Sequence, residues 1–303
     1  MENLKGLIAA TFSPFKPGGS LDLEKVPDMV KMLVKNKVTG IFVCGSTGEG
    51  PSLSTNERKI LTEAFVAESK DKLKVLVHVG HNSLREAKDL AKHAQEIGAD
   101  YISATPPAYF KIDSNLTLVN CLAEIASGAP ELPFYYYNIP ALTGVNLDMV
   151  NFLDIAKEKL PSLVGIKYTT PLINEYQSCL NASNKEYDIL FGSDEILLGA
   201  LASGALGFIG STFNFAAPLY YNVIDAFNQC NMEKARNLQL QSVEMVRIIM
   251  KFGGLRAQKA MMHLIGMDCG TVRLPLNSFT LDESTLLEKD LKKIDFFEWT
   301  CKG

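Results

Sequence analysis

Residues 163–170 read Leu-Val-Gly-Ile-Lys-Tyr-Thr-Thr, a short apolar run that leads into Lys167. Such a run is typical of a strand buried on both faces, as in a parallel sheet. In a closed barrel of parallel strands, the carboxyl ends of the strands surround the site of chemistry. A lysine buried there would lose its charge and could attack a carbonyl carbon, whereas the alternative is a lysine that extends to solvent. The sequence therefore indicates Lys167 as a candidate nucleophile.

Further short apolar runs alternate with helical patterns along the chain. The predicted strands are the eight segments 7–12, 40–43, 75–79, 101–104, 134–137, 163–167, 189–191 and 206–209. Between them, Ser54 and Ser83 are each followed three residues later by a glutamate, which is the pattern of a helix capping box. Eight parallel strands can close into a barrel filled by its own side chains. We therefore predict an α/β fold, a (β/α)8 TIM barrel. The alternative, an open doubly wound sheet, lacks a Gly-x-Gly-x-x-Gly motif after the first strand.

The strand pattern ends near residue 230, and only helical patterns follow. They cover residues 231–251, 255–265 and 283–293, and no low-complexity linker precedes them. We predict a catalytic barrel over residues 1–230 and a C-terminal helical extension over residues 231–303. The extension should pack on the barrel as part of a single structural domain, and the alternative is packing on another subunit.

Composition and charge exclude several classes of protein. The chain has 303 residues, 47% of them hydrophobic, which suits a large buried core. Its net charge of -4 argues against a nucleic-acid partner. The six cysteines form no Cys-x-x-Cys pair, so we expect reduced thiols as in cytosolic proteins. Residues 1–5 show no signal-peptide pattern, and the expected location is the cytoplasm.

Residues 196–224 carry no formal charge, which raises the question of a membrane span. Glycines, a proline and hydroxyl residues interrupt this segment. It therefore predicts a helix, a turn, a buried strand and a loop, and we expect no membrane partner.

A glycine-rich loop follows the second predicted strand. Residues 44–50 read Cys-Gly-Ser-Thr-Gly-Glu-Gly, so the backbone can turn tightly and present its N–H groups in a concavity. The hydroxyls of Ser46 and Thr47 add donors, which suits a carboxylate or a phosphate. The loop is not a Walker motif, since no Gly-Lys-Ser/Thr closes it. The alternative is an ordinary glycine-rich loop.

Three consecutive tyrosines end the fifth predicted strand. Because side chains alternate along a strand, Tyr135 and Tyr137 should share one face and Tyr136 the other. A phenol at a strand end can transfer a proton if its pKa is lowered or if the substrate supplies the base. Packing with one satisfied hydroxyl is the alternative for each tyrosine.

Polar residues follow the last two predicted strands as well. Asp194 and Glu195 come after the seventh strand, and Ser211 comes after the eighth. Adjacent carboxylates could bind a metal, cap a helix or accept hydrogen bonds from a polyhydroxylated substrate, but no further ligand stands nearby in sequence. His78 and His81 also lack a metal-binding partner in sequence, and we interpret both as structural.

Four motifs, in this order and spacing, resemble those of the N-acetylneuraminate lyase and dihydrodipicolinate synthase superfamily along nearly the whole chain. They are residues 45–49, 137–141, 165–167 and 192–195. The resemblance implies a (β/α)8 barrel, usually a homotetramer. It also implies a Schiff base between Lys167 and a 2-oxo acid, with no metal or organic cofactor. The implied partners are small molecules: N-acetylneuraminate, pyruvate and N-acetylmannosamine.

The resemblance also implies a role for each candidate residue. Lys167 would form the Schiff base and Tyr137 would relay a proton. Ser46 and Thr47 would bind the pyruvyl carboxylate. The residues expected to bind the sugar chain are Thr169, Gly192, Asp194, Glu195 and Ser211.

Members of the superfamily differ two residues after the proline of the Tyr-Asn-x-Pro motif. The synthases typically carry an arginine there, whereas this chain has Leu142 and resembles the lyases. The resemblance therefore implies reversible cleavage of N-acetylneuraminate. The alternatives are a Schiff-base aldolase or synthase for another 2-oxo acid, such as a dihydrodipicolinate synthase, and a non-catalytic barrel that binds sugars or oxo acids. Tyr109 resembles a tyrosine that relatives extend toward a neighbouring subunit's site.

Overall fold

Parallel strands close into a barrel in chain order, with the last strand paired to the first. The computed structural model describes residues 3–301. The strands are β1 (Gly6–Ala10), β2 (Gly40–Val43), β3 (Lys74–His78), β4 (Tyr101–Ala104), β5 (Phe134–Asn138), β6 (Leu163–Tyr168), β7 (Asp188–Phe191) and β8 (Gly207–Gly210). The predicted (β/α)8 TIM barrel is confirmed, and the predicted strand ends lie within two residues of the observed ones.

One or two helices follow each strand of the barrel. They are α1 (Val26–Lys35), α2 (Thr55–Ser69), α3 (Leu84–Glu96), α4 (Asn115–Ala126), α5 (Pro140–Thr143), α6 (Met149–Lys159), α7 (Ile173–Asn181), α8 (Leu197–Ser203) and α9 (Phe213–Asn228). Short 3-10 turns cover Leu23–Lys25, Gly50–Ser52, Ala182–Lys185 and Asp194–Ile196.

One of the two expected capping boxes is complete. Ser54 accepts a hydrogen bond from the Glu57 N–H while the Glu57 carboxylate accepts one from the Ser54 N–H. Ser83 caps α3 in the same way through the Glu86 N–H, but Glu86 accepts instead from the Thr55 hydroxyl, at 2.7 Å. Glu86 thus ties the start of α3 to the start of α2.

Further helices follow the barrel and form the C-terminal extension. They are α10 (Met232–Lys251), α11 (Leu255–Leu264), α12 (Leu281–Lys292) and α13 (Phe296–Trp299), and α10 packs along α9. The predicted boundary at residue 230 falls between α9 and α10, and the division into 1–230 and 231–303 stays a prediction. Residues 1, 2, 302 and 303, at the ends of these ranges, lie outside the described residues.

Two apolar clusters fill the barrel and its surroundings. The inner one contains Tyr135 and Tyr137, whereas Tyr136 lies in the outer one, between the strands and the helices. The expected alternation of the three tyrosines is therefore confirmed. It directs the Tyr137 phenol into the barrel at its carboxyl end.

The uncharged segment 196–224 is divided among α8, β8 and most of α9. Among residues 3–301, no helix combines the length and the apolar character needed to cross a bilayer. The six cysteines are all unpaired, and four of them are buried, as expected for reduced thiols.

A buried carboxylate closes the amino-terminal end of the barrel. Asp188 accepts hydrogen bonds from the Tyr135 hydroxyl, at 2.7 Å, and from the Leu4 N–H, at 2.9 Å. Gly165 pairs with both Tyr135 and Asp188 in the sheet. A Cβ atom on Gly165 would lie 1.7 Å from the Asp188 carbonyl oxygen, so only glycine fits there.

We expect Gly165→Ala to lower the free energy of unfolding by about 3 kcal/mol, because the added methyl group collides with backbone that cannot move aside. Urea titration followed by circular dichroism measures this change. Gly18→Ala is the control, since a Cβ atom there meets nothing within 4 Å. Equal stability of the two variants would contradict this account of β6.

Candidate active site

Lys167 lies at the carboxyl end of β6 and extends inward. Its side chain is only 3% exposed, so the alternative of a lysine that reaches solvent is wrong. The Nζ atom lies 3.8 Å from the centre of the Phe42 ring and 3.9 Å from the centre of the Tyr137 ring. Burial lowers the Lys167 pKa to about 7, although the nearby Asp194 carboxylate raises it. A substantial share of the amines is therefore neutral at pH 7 and able to attack a carbonyl carbon.

Tyr137 is the partner of Lys167 across the sheet, since the two residues pair in the register of β5 and β6. Its hydroxyl lies 3.4 Å from the Ser46 hydroxyl. Burial raises the Tyr137 pKa to about 12, while the Ser46 and Thr169 hydroxyls lower it. The phenol is thus protonated at neutral pH. Because its pKa is not lowered, the phenol can transfer a proton only if the substrate supplies the base.

The glycine-rich loop forms one wall of this pocket. Ser46 and Thr47 are half-buried at its turn. The loop is closed by hydrogen bonds from the Gly50 N–H to the Gly45 carbonyl, at 3.0 Å, and from the Glu49 N–H to the Ser46 carbonyl, at 3.1 Å. Because a Cβ atom on Gly45 would lie 2.5 Å from the Phe42 ring, glycine lets the loop pack on the same ring that covers Lys167.

Phe42 and Glu49 were not among the sequence-based candidates. Phe42 belongs to the inner cluster of the barrel. Phe42 could have been found from the sequence. Because side chains alternate along a strand, a large ring near the end of β2 can be assigned to the inner face. Glu49 gave no comparable signal, since its partners lie more than two hundred residues away.

Asp194 lies buried across the pocket, in the turn after β7. Its Oδ2 atom accepts hydrogen bonds from the Thr212 N–H, at 2.9 Å, and the Thr212 hydroxyl, at 2.6 Å. Burial raises the Asp194 pKa to about 6, while Thr212 and, more weakly, Lys167 lower it. A Cβ atom on Gly210 would lie 2.0 Å from Oδ1, so β8 makes room for this carboxylate. One carboxylate oxygen is thus engaged within the protein.

The C-terminal extension supports Asp194 from behind. The Thr212 hydroxyl contacts the Tyr220 hydroxyl at 2.7 Å, and that hydroxyl contacts Ser242 of α10 at 2.8 Å. Gln239, also on α10, donates to the Asp194 carbonyl at 3.4 Å. The turn that carries Asp194 is therefore fixed by side chains of both α9 and α10.

The other expected sugar-binding residues stand at neighbouring strand ends. Thr169 follows β6, Gly192 and Glu195 follow β7, and Ser211 follows β8, and all four are half-buried. The Thr169 Oγ1 atom is buried without a hydrogen-bond partner of ordinary geometry. A Cβ atom on Gly192 would lie 2.1 Å from it, so glycine there leaves this hydroxyl its space. The structure thus gathers these residues around one mouth, and their roles in binding stay predictions.

His78 completes the wall behind Tyr137 as a neutral ring. Its ring centre lies 5.8 Å from that of Tyr137, edge to face. Nε2 accepts from the Thr105 N–H at 3.2 Å, and Nδ1 lies 3.2 Å from the Cys44 carbonyl oxygen. Burial lowers the His78 pKa well below its ordinary value, and the nearby Arg58 guanidinium lowers it further. His78 is therefore a packing residue, as interpreted from the sequence.

His81 and Tyr109 do not contribute to the pocket as it stands. His81 accepts from the Ser83 N–H at 2.9 Å, near the start of α3. Tyr109 is 79% exposed and packs edge to face on Phe110, which is 82% exposed. No group of three or more His, Cys, Asp or Glu side chains suited to a metal ion occurs within the described range 3–301.

The chain is similar to known proteins over nearly its full length. The human N-acetylneuraminate lyase is 39% identical, with 99% of this chain and 95% of the human protein covered. The solved structure of the N-acetylneuraminate lyase from Proteus mirabilis superposes with a TM-score of 0.95 at 36% identity, covering 97% of this chain and all of that one. The catalytic lysine mutant of the sialic acid aldolase from Ruminococcus gnavus superposes with a TM-score of 0.91 at 30% identity, with 98% and 99% covered.

A family model reaches the same result from the sequence alone. The model of the dihydrodipicolinate synthetase family matches residues 3–294, which includes the barrel and most of the helical extension. With the relatives above, this match shows that the chain belongs to the dihydrodipicolinate synthetase family.

Proposed function

We propose that this protein is an N-acetylneuraminate lyase, a Schiff-base aldolase that reversibly cleaves N-acetylneuraminate to N-acetylmannosamine and pyruvate in sialic acid degradation. The observation that carries the proposal is Lys167, a buried lysine whose pKa is about 7, paired in register with Tyr137. The similarity to N-acetylneuraminate lyases from human and Proteus mirabilis supports the choice of substrate.

In the proposed reaction, the neutral Lys167 amine attacks C2 of the open-chain sugar, and loss of water leaves a protonated imine. The C3–C4 bond then breaks, and its electron pair moves into the imine to form an enamine. The C4 hydroxyl loses its proton and becomes the aldehyde of N-acetylmannosamine. Protonation at C3 and hydrolysis of the imine release pyruvate and the free amine. The water lost at the start is regained at the end, so neither an oxidant nor a reductant is needed.

Tyr137 is proposed to relay the C4 proton. Since its pKa is about 12, the phenol cannot act as a free phenolate at neutral pH. We propose that it gives its own proton to the substrate carboxylate as it accepts that of the C4 hydroxyl. Ser46 and Thr47 would hold that carboxylate beside the Tyr137 phenol, so that the carboxylate can accept the phenol proton. The imine itself serves as the electron sink, and we propose that no metal or organic cofactor takes part.

The sugar chain is proposed to bind at the mouth formed by the ends of β6, β7 and β8. The binding residues would be Thr169, Gly192, Asp194, Glu195 and Ser211. The buried Thr169 hydroxyl supports this, because it has no hydrogen-bond partner of ordinary geometry beyond the neighbouring Tyr137 phenol, and a ligand can supply one. Polar groups aimed at hydroxyls also discriminate strongly, since a substrate without them leaves those groups unpaired.

We further propose a homotetramer that acts in the cytoplasm. The resemblance to the superfamily supports the homotetramer, and the exposed Tyr109 and Phe110 rings offer an apolar contact for a second copy. In such an assembly Tyr109 would extend toward the site of the neighbouring subunit. The unpaired cysteines support the cytoplasmic location.

Treatment with pyruvate and cyanoborohydride is expected to place a reduced adduct on Lys167, which peptide mass spectrometry locates. Because only the neutral amine attacks, the trapping rate should fall below pH 7 and level off above it, with a midpoint near the Lys167 pKa of about 7. Lys167→Ala is the control and should show no adduct. An adduct at another lysine, or a midpoint near the ordinary lysine value of ~10.4, would refute the assignment.

Tyr137→Phe should still form the trapped imine, but cleavage of N-acetylneuraminate should slow by about 10²- to 10⁴-fold, because the proton relay is lost. Stopped assays of pyruvate release give kcat, and reductive trapping reports imine formation in the same samples. Tyr136→Phe is the matched control, since its ring lies in the outer cluster. Near-normal kcat in Tyr137→Phe would remove the phenol from the mechanism.

Leu142→Arg tests the lyase assignment against a dihydrodipicolinate synthase. Leu142 is 66% exposed on α5, so the longer side chain fits without disturbing the core. The arginine is expected to impair neuraminate cleavage, because it introduces the charge that the synthases carry at this position.

The unaltered protein should not condense pyruvate with aspartate semialdehyde. Condensation at a rate comparable to neuraminate cleavage would favour the synthase alternative.

A further inference from the structure

Glu49 occupies an unusual position in the glycine-rich loop. Its backbone has φ of +52°, a left-handed conformation that a non-glycine residue adopts uncommonly. Its side chain is buried, with 3% exposed, in the same turn of the loop as Ser46 and Thr47. A buried carboxylate requires partners, and those of Glu49 show what holds the loop in this conformation.

Both oxygens of the Glu49 carboxylate are bound by the C-terminal extension. The Lys259 ammonium, on α11, lies 2.8 Å from Oε1 and is itself only 2% exposed. The backbone N–H of Arg273, in the segment between α11 and α12, donates to Oε2 at 2.8 Å. The extension therefore holds the loop through a buried ion pair and a charge-assisted hydrogen bond.

Lys259 holds the other side of the loop as well. Its ammonium donates to the carbonyls of Ser13 and Thr271, each at 2.8 Å. The Ser13 hydroxyl in turn donates to the Gly48 carbonyl. With the ion pair to Glu49, this one ammonium contacts three oxygen atoms. A single charge in the extension thus fixes the loop both directly and through the segment that follows β1.

This arrangement determines where the Ser46 hydroxyl lies. The Glu49 N–H donates to the Ser46 carbonyl at 3.1 Å, so the position of Glu49 sets the turn that holds Ser46 3.4 Å from the Tyr137 phenol. Stability alone does not explain the charges, because apolar residues of similar volume often replace a buried ion pair without loss of stability. A fixed loop conformation does explain them.

We propose that Glu49 and Lys259 are positioning residues that set the affinity of the site for the carboxylate of the oxo acid, although neither contacts it. The inference rests on the proposed function, in which Ser46 and Thr47 bind that carboxylate. Without the ion pair, the loop loses the turn that directs its hydroxyls and N–H groups into the pocket. Lys167, held against the rings of Phe42 and Tyr137, keeps its place and its reactivity.

The test replaces both charges at once, as Glu49→Gln with Lys259→Met, because either change alone leaves a buried charge unpaired. Reductive trapping on Lys167 is measured against the concentration of pyruvate and, separately, of acetone, a ketone that lacks the carboxylate. We expect the half-saturating concentration of pyruvate to rise by roughly 10- to 100-fold, the scale of effect that a misplaced contact produces. The half-saturating concentration of acetone and the maximal trapping rate should stay the same.

Lys251→Met with Asp290→Asn is the matched control. It removes the Lys251–Asp290 ion pair of 2.6 Å and, with it, the Lys293–Asp290 pair of 2.7 Å, both of which lie in the extension and do not contact the loop. Its values for both ketones should equal those of the unaltered protein. Unchanged pyruvate half-saturation in the Glu49 and Lys259 variant would overturn the inference, and so would equal weakening for pyruvate and acetone. If the proposed function itself is wrong, the unaltered protein forms no pyruvate adduct on Lys167, which distinguishes that outcome from failure of this inference.

Discussion

The removal of one amine from water is the constraint on which the site depends. Lowering the Lys167 pKa from 10.5 to about 7 corresponds to about 5 kcal/mol against the charged form. The barrel achieves this by enclosing the Nζ atom between the rings of Phe42 and Tyr137, within a closed sheet that leaves little room for water. The same enclosure raises the pKa of Tyr137 and of Asp194, so that one physical cause sets the protonation of all three groups.

Close packing around this amine relies on residues that lack a side chain. Gly165 lets β6 approach β7, Gly192 leaves space for the Thr169 hydroxyl, and Gly210 leaves space for the Asp194 carboxylate. In each case an added Cβ atom would lie only 1.7 to 2.1 Å from an oxygen atom, far inside a normal contact distance. Gly192 and Gly210 therefore shape the polar mouth of the barrel, whereas Gly165 permits close packing toward its opposite end.

The fold could be predicted because its signals are local. Each buried strand is a short apolar run, and the alternation of Tyr135, Tyr136 and Tyr137 fixes which phenol enters the barrel. Part of the candidate site could be predicted in the same way, because the carboxyl ends of the strands meet at one end of the barrel. This rule places Lys167, Tyr137 and the loop of Ser46 together. Partnerships over long sequence distances could not be read. Nothing near Glu49 indicates Lys259, and nothing near Asp194 indicates that Thr212 occupies one of its oxygens. The raised pKa of Tyr137 also depends on burial, which no pattern in residues 134–138 records.

The extension reaches the mouth of the barrel on two sides. Lys259 and Arg273 meet Glu49 on one side, and Gln239 and Ser242 support the turn of Asp194 on the other. The helices after residue 230 are consequently not an independent unit that could be exchanged for the corresponding helices of a relative. A chimera that joins this barrel to a foreign tail would have to import the matching loop and turn residues too, because each half of the chain carries the counterparts of the other.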